Sequence, residues 1–147
     1  MNKDILTLLV VEDSEEDFTA TRRALRRSGV KLEVQRSKTG DDALDYLYQR
    51  KAYAEVPPPD VVLLDLNLPG TDGREVLKQL RSDATWDTLP IIILTTSSAL
   101  QDIEACYRDG ANSYIVKPVD LPAFMTKMAT FATYWYDTVT VPSRVQE

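Results

Sequence analysis

Two stretches of the chain, VVLLDL at 61–66 and PIIILTT at 90–96, are apolar at nearly every position. A strand with one face in water alternates apolar and polar residues. A near-continuous run is what a strand needs when helices cover both faces of a parallel sheet. Three further short runs, LTLLVV (6–11), LEVQRS (32–37) and SYIVKP (113–118), complete a set of five strands. Amphipathic stretches lie between and after them, so the pattern is strand then helix, five times. Right-handed crossovers are nearly obligatory for such units. The expected fold is therefore α/β, a doubly wound five-stranded parallel sheet with five helices, in which ligands bind beyond the carboxyl ends of the strands.

Helix boundaries follow from capping chemistry. Ser14 opens the first helix through S-E-E-D, a capping box in which Asp17 substitutes for the usual Glu; Phe18, Thr21 and Leu25 then share a face, and Gly29 stops the helix. The second begins near Asp41 or Asp42 and carries Ala43, Leu44, Leu47 and Tyr48 before VPPPD imposes an extended, stiff connector. The third spans about 73–82 through Val76, Leu77 and Leu80. The fourth spans about 99–108, with Ile103 and Tyr107 spaced to share a face and Gly110 as the stop. The fifth starts after Asp120, with Leu121, Phe124, Met125, Met128, Phe131, Ala132 and Trp135 as one core-facing stripe.

At 147 residues, with no internal repeat or change of composition, the chain is expected to form one domain over 1–147, its core at about 5–138 and a short tail at 139–147. No apolar run approaches the ~20 residues that span a bilayer, and MNKDILTLLVVED resembles a first strand rather than a signal peptide, so a cytoplasmic location is expected. The net charge of -6 disfavours nonspecific binding to nucleic acid or acidic membranes and favours a folded protein partner. The chain has no histidine, which removes Ser/His and Cys/His nucleophiles, His-ligated metals and a phosphohistidine carrier. Its single cysteine, Cys106, reads as a small buried hydrophobe.

Polar residues collect where the strands end. Glu12 and Asp13 follow strand one, Asp65 ends strand three, Thr95 and Thr96 end strand four, and Lys117 ends strand five; strand two has no obvious counterpart, which suits an edge. Taken alone, each has an ordinary explanation as a helix cap, a loop residue or a strand-end hydrogen bonder. Asp65 differs, because four aliphatic residues lead directly into it and an unpaired buried charge is expensive. Carboxylates gathered at one rim repel, by about 4 kcal/mol for unit charges ~4 Å apart at an effective dielectric near 20. Something positive must offset them. Oxygen ligands without His or Cys suit a hard divalent cation, and a site that leaves room for waters and phosphate oxygens suits Mg2+. Lys117 adds a point charge and Thr95 a hydroxyl donor, the groups wanted around a phosphoryl group. Asp65 is then the nucleophile that captures phosphorus as an acyl phosphate.

ED at 12–13, LLDLNLPGTDG at 63–73, LTTS at 94–97 and YIVKP at 114–118 resemble, in order, spacing and strand position, the receiver domains of two-component response regulators. The resemblance implies a flavodoxin-like sheet of order 2-1-3-4-5. It implies that Asp13 and Asp65 bind Mg2+ directly, that Glu12 acts mainly through water, and that the backbone carbonyl of Asn67 completes the protein ligands. Thr95 and Lys117 would contact the phosphoryl oxygens, Tyr114 would be the aromatic switch that turns inward as Thr95 moves, and the Lys117–Pro118 bond would be cis. Leu68 stands where many relatives have Met, a difference of packing. NLPGTDGREVLKQLRSD, the LTTS segment and KPVDLPAFMTKMATFATYWY resemble more narrowly the small cyanobacterial response regulators that partner phytochrome histidine kinases.

The expected function is a stand-alone receiver that accepts phosphoryl from a sensor histidine kinase and signals to a downstream protein through helix four, strand five and helix five. The rival is a Mg2+-dependent phosphohydrolase turning over an aspartyl phosphate. Such enzymes commonly place a second Asp two residues after the nucleophile as acid and base, and Asn67 in that position cannot take this role. Slow self-dephosphorylation, tuned by Asn67 and Ser97, is expected instead. A degenerate receiver acting only as a docking module is a second rival, but every required acidic, hydroxyl and lysine position is filled. Finally, Phe131, Tyr134, Trp135 and Tyr136 run around the last helix. Core packing accounts for Phe131 and Trp135, leaving Tyr134 and Tyr136, with Val139 and Val141, as an expected outward surface for a partner, a homodimer contact.

Overall fold

In the computed structural model, which describes residues 5–144, the apolar runs become five parallel strands: β1 (Leu6–Val11), β2 (Leu32–Ser37), β3 (Val61–Leu64), β4 (Ile91–Thr95) and β5 (Ser113–Val116). They form one sheet of order β2-β1-β3-β4-β5. Each strand is followed by a helix: α1 (Glu15–Arg27), α2 (Gly40–Leu47), α3 (Gly73–Arg81), α4 (Leu100–Arg108) and α5 (Leu121–Thr133).

Alternation along each strand explains why β3 holds no polar residue and β4 none before Thr95. Leu9, Val62, Leu64, Ile91 and Ile93 face α2 and α3, where they meet Leu44, Leu47, Leu77 and Leu80. Their neighbours Leu8, Val61, Leu63 and Ile92 point the other way, onto Phe18 and Leu25 of α1 and Phe124, Met128 and Phe131 of α5. Cys106 is fully buried with the first group, as expected.

Four of the five helices start on side-chain caps; Ser14 and Asp120 were expected, Thr39 and Asp72 were not. Ser14, Thr39, Asp72 and Asp120 each accept from the backbone N–H three residues on, at the N-termini of α1, α2, α3 and α5. Removing one such cap, as in Ser14→Ala, is expected to cost about 1 kcal/mol of stability, read as a lowered urea midpoint with an unchanged slope. Gly29 and Gly110 close α1 and α4 in the left-handed conformation, at φ of 82° and 107°.

Three expectations change at the C-terminal end. Leu121 is 53% exposed, so the buried stripe of α5 begins only at Phe124; Leu121 belongs to the first turn, set by the Asp120 cap and Pro122. After Thr133 the backbone widens into a π-helical turn, Tyr134–Thr138. The wider turn shifts the phase of every residue beyond it. Tyr136 accordingly packs against the α1/α5 side of the core instead of facing outward. The segment after it is no loose tail either. Val141 is 2% exposed, and Ser143 donates to Asp60 Oδ1, whose other oxygen accepts from the N–H of Thr7 at the start of the sheet. The last residues expected in the tail, 145–147, lie outside the described residues.

Candidate functional site

Every strand delivers its last residues to the same rim. The Glu12 N–H donates to Ser37 O, the Asp65 N–H to Val11 O and the Lys117 N–H to Thr95 O, so the backbone ladder holds these residues beside one another. The chain can leave β3 only because residue 73 is glycine. A Cβ there would stand 2.0 Å from the Asp65 carbonyl oxygen, so the start of α3 packs directly against the backbone of Asp65.

Glu12, Asp13 and Asp65 each offer a carboxylate oxygen, and these atoms lie within 4.8 Å of one another; Glu12 and Asp65 are buried and Asp13 is exposed. Lys117 reaches into the group with its side chain only 7% exposed. Its Nζ donates to Glu12 Oε1 at 2.6 Å, Asp17 Oδ2 at 2.9 Å and Asp65 Oδ2 at 3.2 Å. One ammonium thus faces the three carboxylates it bonds and Asp13 beside them. Burial, reinforced by the charge of Asp65, pushes the Glu12 carboxyl up to about 7 despite its hydrogen bond to Lys117. For Lys117, burial works against the charged form, but the hydrogen bonds it donates to Glu12 and Asp17 and the charge of Asp65 outweigh it and hold the ammonium above its ordinary value.

A divalent cation fits this donor set. The ligands are all oxygen, one of the three is open to solvent, and the negative charge exceeds what Lys117 neutralises. Thr95 Oγ1 is fully buried and has no hydrogen-bond partner among the described residues. Such an orphan costs about 1–3 kcal/mol unless something else bonds it, and an incoming phosphoryl oxygen would supply the acceptor.

The remaining expected residues fall as follows. The Asn67 N–H donates to Asp65 Oδ1 at 3.3 Å, which sets the loop against the Asp65 carboxylate, while its side chain is exposed. Tyr114 is half-buried, and its hydroxyl donates to the Ser97 carbonyl at 2.9 Å, tying β5 to the loop that leaves Thr95. The Ser97 hydroxyl is occupied in the start of α4, donating to Asp102 Oδ2 and accepting from the Ala99 N–H. The Lys117–Pro118 bond is trans, since the described residues contain no cis peptide bond. That is the isomer an X–Pro bond prefers by about 0.5–1 kcal/mol without other constraints. Of the aromatic group on the last helix, Phe131 is buried in the core and Trp135 is half-buried, whereas Tyr134 is 47% exposed and meets Trp135 edge-on at 5.4 Å between ring centroids.

Two residues were not foreseen. Asp17 was assigned to a capping box, but only half of that box forms. Ser14 accepts from the Asp17 N–H, whereas the Ser14 N–H goes to Glu12 Oε2, and the Asp17 carboxylate turns to Lys117. Strand two also has a counterpart at the rim after all. Arg36 stacks over Phe18, donates from Nε to the Glu12 carbonyl at 3.1 Å and pairs with Glu15, so it braces the backbone that carries Glu12. A Phe four residues after a cap and an Arg near the end of an edge strand were the only signals for this.

Comparison with known proteins agrees with the geometry. Residues 8–129 match the response regulator receiver domain family. The chain is 34% identical over 136 residues to the response regulator Rcp1 of Synechocystis sp., covering 92% of each. It is 32% identical to a probable methanogenesis regulatory protein, FilR2, of Methanothrix harundinacea, covering 90% of this chain and 85% of that one. Among solved structures, the phosphorylated cyanobacterial phytochrome response regulator RcpA superposes with a TM-score of 0.89 at 37% identity, over 93% of this chain and 98% of the other. The Mn2+-bound form of Rcp1 gives the same score at 34% identity, over 93% and 99%. Sheet order, rim chemistry and sequence coverage agree: the chain belongs to the response regulator receiver domain family.

Proposed function

We propose that the chain is a phosphoacceptor of a two-component pathway. It takes a phosphoryl group from a phosphohistidine of a sensor kinase, of phytochrome type, onto Asp65, and passes the signal to a downstream protein in the cytoplasm. The observation that carries this reading is the Asp65 carboxylate held between Lys117 and the Glu12 and Asp13 oxygens. In the transfer an Asp65 oxygen attacks phosphorus, the P–N bond to the donor imidazole breaks, and its electron pair stays on that nitrogen. Lys117 and the Thr95 hydroxyl are placed to bond the phosphoryl oxygens. Asp13, Asp65 and the Asn67 carbonyl would hold Mg2+, with Glu12 acting through water, and the cation would neutralise charge on the transferring group. The relatives' association with phytochromes supports the kinase class, and the Mn2+ form of Rcp1 supports a divalent cation.

Lys117, bonded to the Asp65 carboxylate, is placed to offset charge on an acyl phosphate there, and Asn67 offers no acid or base for rapid hydrolysis, which favours a signalling protein over a phosphohydrolase. Incubation with acetyl phosphate and Mg2+ is expected to give one acid-stable, alkali-labile phosphate that disappears in Asp65→Asn. Phosphate on a serine or threonine, or rapid multiple turnover of a phosphomonoester, would refute the assignment.

Tyr114, together with Phe131, Tyr134 and Trp135, lines an apolar groove along β5 and α5. The outer edge of β5 carries no neighbouring strand among the described residues. We infer that a second copy covers this face. Because Tyr134 is the exposed member and Tyr136 packs inward, Tyr134→Glu is expected to shift sedimentation from dimer toward monomer. A monomer in both proteins would remove the dimer proposal.

A further inference from the structure

We propose that Asp17 is a positioning residue for Lys117, a latch that holds the ammonium while Asp65 is unmodified and lets it go when a phosphoryl group arrives. This rests on the reading of Asp65 as phosphoacceptor.

A lysine ammonium has three N–H donors, and all three are in use, on Glu12, Asp17 and Asp65. The bond to Asp65 is the longest of the three, so the ammonium sits closer to Glu12 and Asp17 than to the nucleophile. Glu12 also belongs to the group of oxygens that can hold a cation, and Asp17 does not. The Asp17 carboxylate has been withdrawn from the capping box that its position in S-E-E-D suits, because Glu12 Oε2 already accepts from the Ser14 N–H. Its carboxylate therefore serves Lys117.

A phosphoryl group on Asp65 brings further anionic oxygens to the nucleophile's side of the cluster. Asp17, whose side chain is 41% exposed, is the carboxylate that water can best solvate in exchange for the lost bond. The ammonium then moves from Asp17 toward the phosphoryl oxygens. Asp17 and Lys117 both line the groove between α1 and the start of α5, so the same event uncovers a carboxylate on that surface. Phosphorylation is in this way felt at α1 as well as at β5.

The latch stabilises only the unphosphorylated arrangement, so deleting it favours the phosphorylated one. The test is the affinity of the full chain for beryllium trifluoride, a phosphoryl analogue, titrated in Mg2+. Asp17→Asn is expected to bind about five- to tenfold more tightly than wild type, the size of a partly exposed charge-assisted hydrogen bond. Asp17→Glu keeps the charge and is expected to restore affinity toward wild type. Glu16→Gln removes the same charge from the same helical turn without touching the lysine cluster, and Ser14→Ala weakens the same cap; both are expected to bind as wild type does. Equal affinity in Asp17→Asn, weaker affinity, or an equal gain in Glu16→Gln would overturn the latch while leaving Asp65 as acceptor. Failure of wild type to bind the analogue, or undiminished binding by Asp65→Asn, would overturn both readings.

Discussion

Lys117→Met is expected to lower the stability of the metal-free protein by about 3–5 kcal/mol, the usual cost of removing one partner from a buried charge cluster. Lys117 is the only cation bonded to the side-chain carboxylates of Glu12 and Asp65 among the described residues, and both carboxylates are buried. Methionine is close in length to lysine and fills the space, so the loss reports charge and not a cavity. The deficit should shrink on acidification, because a carboxyl that takes a proton no longer needs its counter-ion. It should also shrink in millimolar Mg2+, since a cation held by the same oxygens replaces part of the missing charge. Urea unfolding at neutral pH, with and without Mg2+, measures both effects. A variant as stable as wild type in metal-free buffer would mean that the carboxylates are not neutralised by Lys117.

Mg2+ affinity is expected to rise with pH up to about 7 and flatten above it, because a protonated Glu12 carboxyl brings no charge to the cation it reaches through water. The same shift sets a stability trend of defined sign. The Glu12 carboxyl, at about 7 in the folded chain against an ordinary 4.5, binds more proton folded than unfolded between those values. Metal-free stability therefore falls as pH rises through that window, by at most about 3 kcal/mol. Added Mg2+ should flatten or reverse the fall. Calorimetric titration of Mg2+ from pH 5.5 to 8.5 checks the first trend, and denaturation over the same range checks the second. Glu12→Gln should remove most of both dependences.

The parts of this fold that were legible in the sequence are those governed by one dominant requirement. β3 and β4 are covered on both faces, so their apolar runs could hardly be anything else. The cap residues Ser14 and Asp120 each satisfy the N–H three positions on, as their positions implied, whereas the cap at Asp72 was not foreseen. The rim residues Glu12, Asp13, Asp65 and Lys117 could be placed because a parallel sheet delivers all its strand ends to one side. Legibility failed where a residue had two possible partners or where the helical period changed. Asp17 could cap its helix or bond a lysine one hundred residues away, and local spacing shows only the first option. Tyr136 was placed outside by extending an α-helical phase through a turn that is π-helical, and Val141 by assigning 139–147 to a tail. Arg36 carried no motif, because its use depends on the neighbouring strand bringing the Glu12 carbonyl within reach.

The central claim is that Asp65 is the oxygen nucleophile of a site in which Lys117, Glu12 and Asp13 balance charge around it. Intact-mass measurement after incubation with acetyl phosphate and Mg2+, followed by mapping of the modified peptide, tests it most directly. The account predicts a single added phosphoryl group on Asp65, lost on alkaline treatment, absent in Asp65→Asn and strongly reduced without Mg2+. An unmodified wild-type chain, or a phosphoryl group that persists in Asp65→Asn, would contradict it.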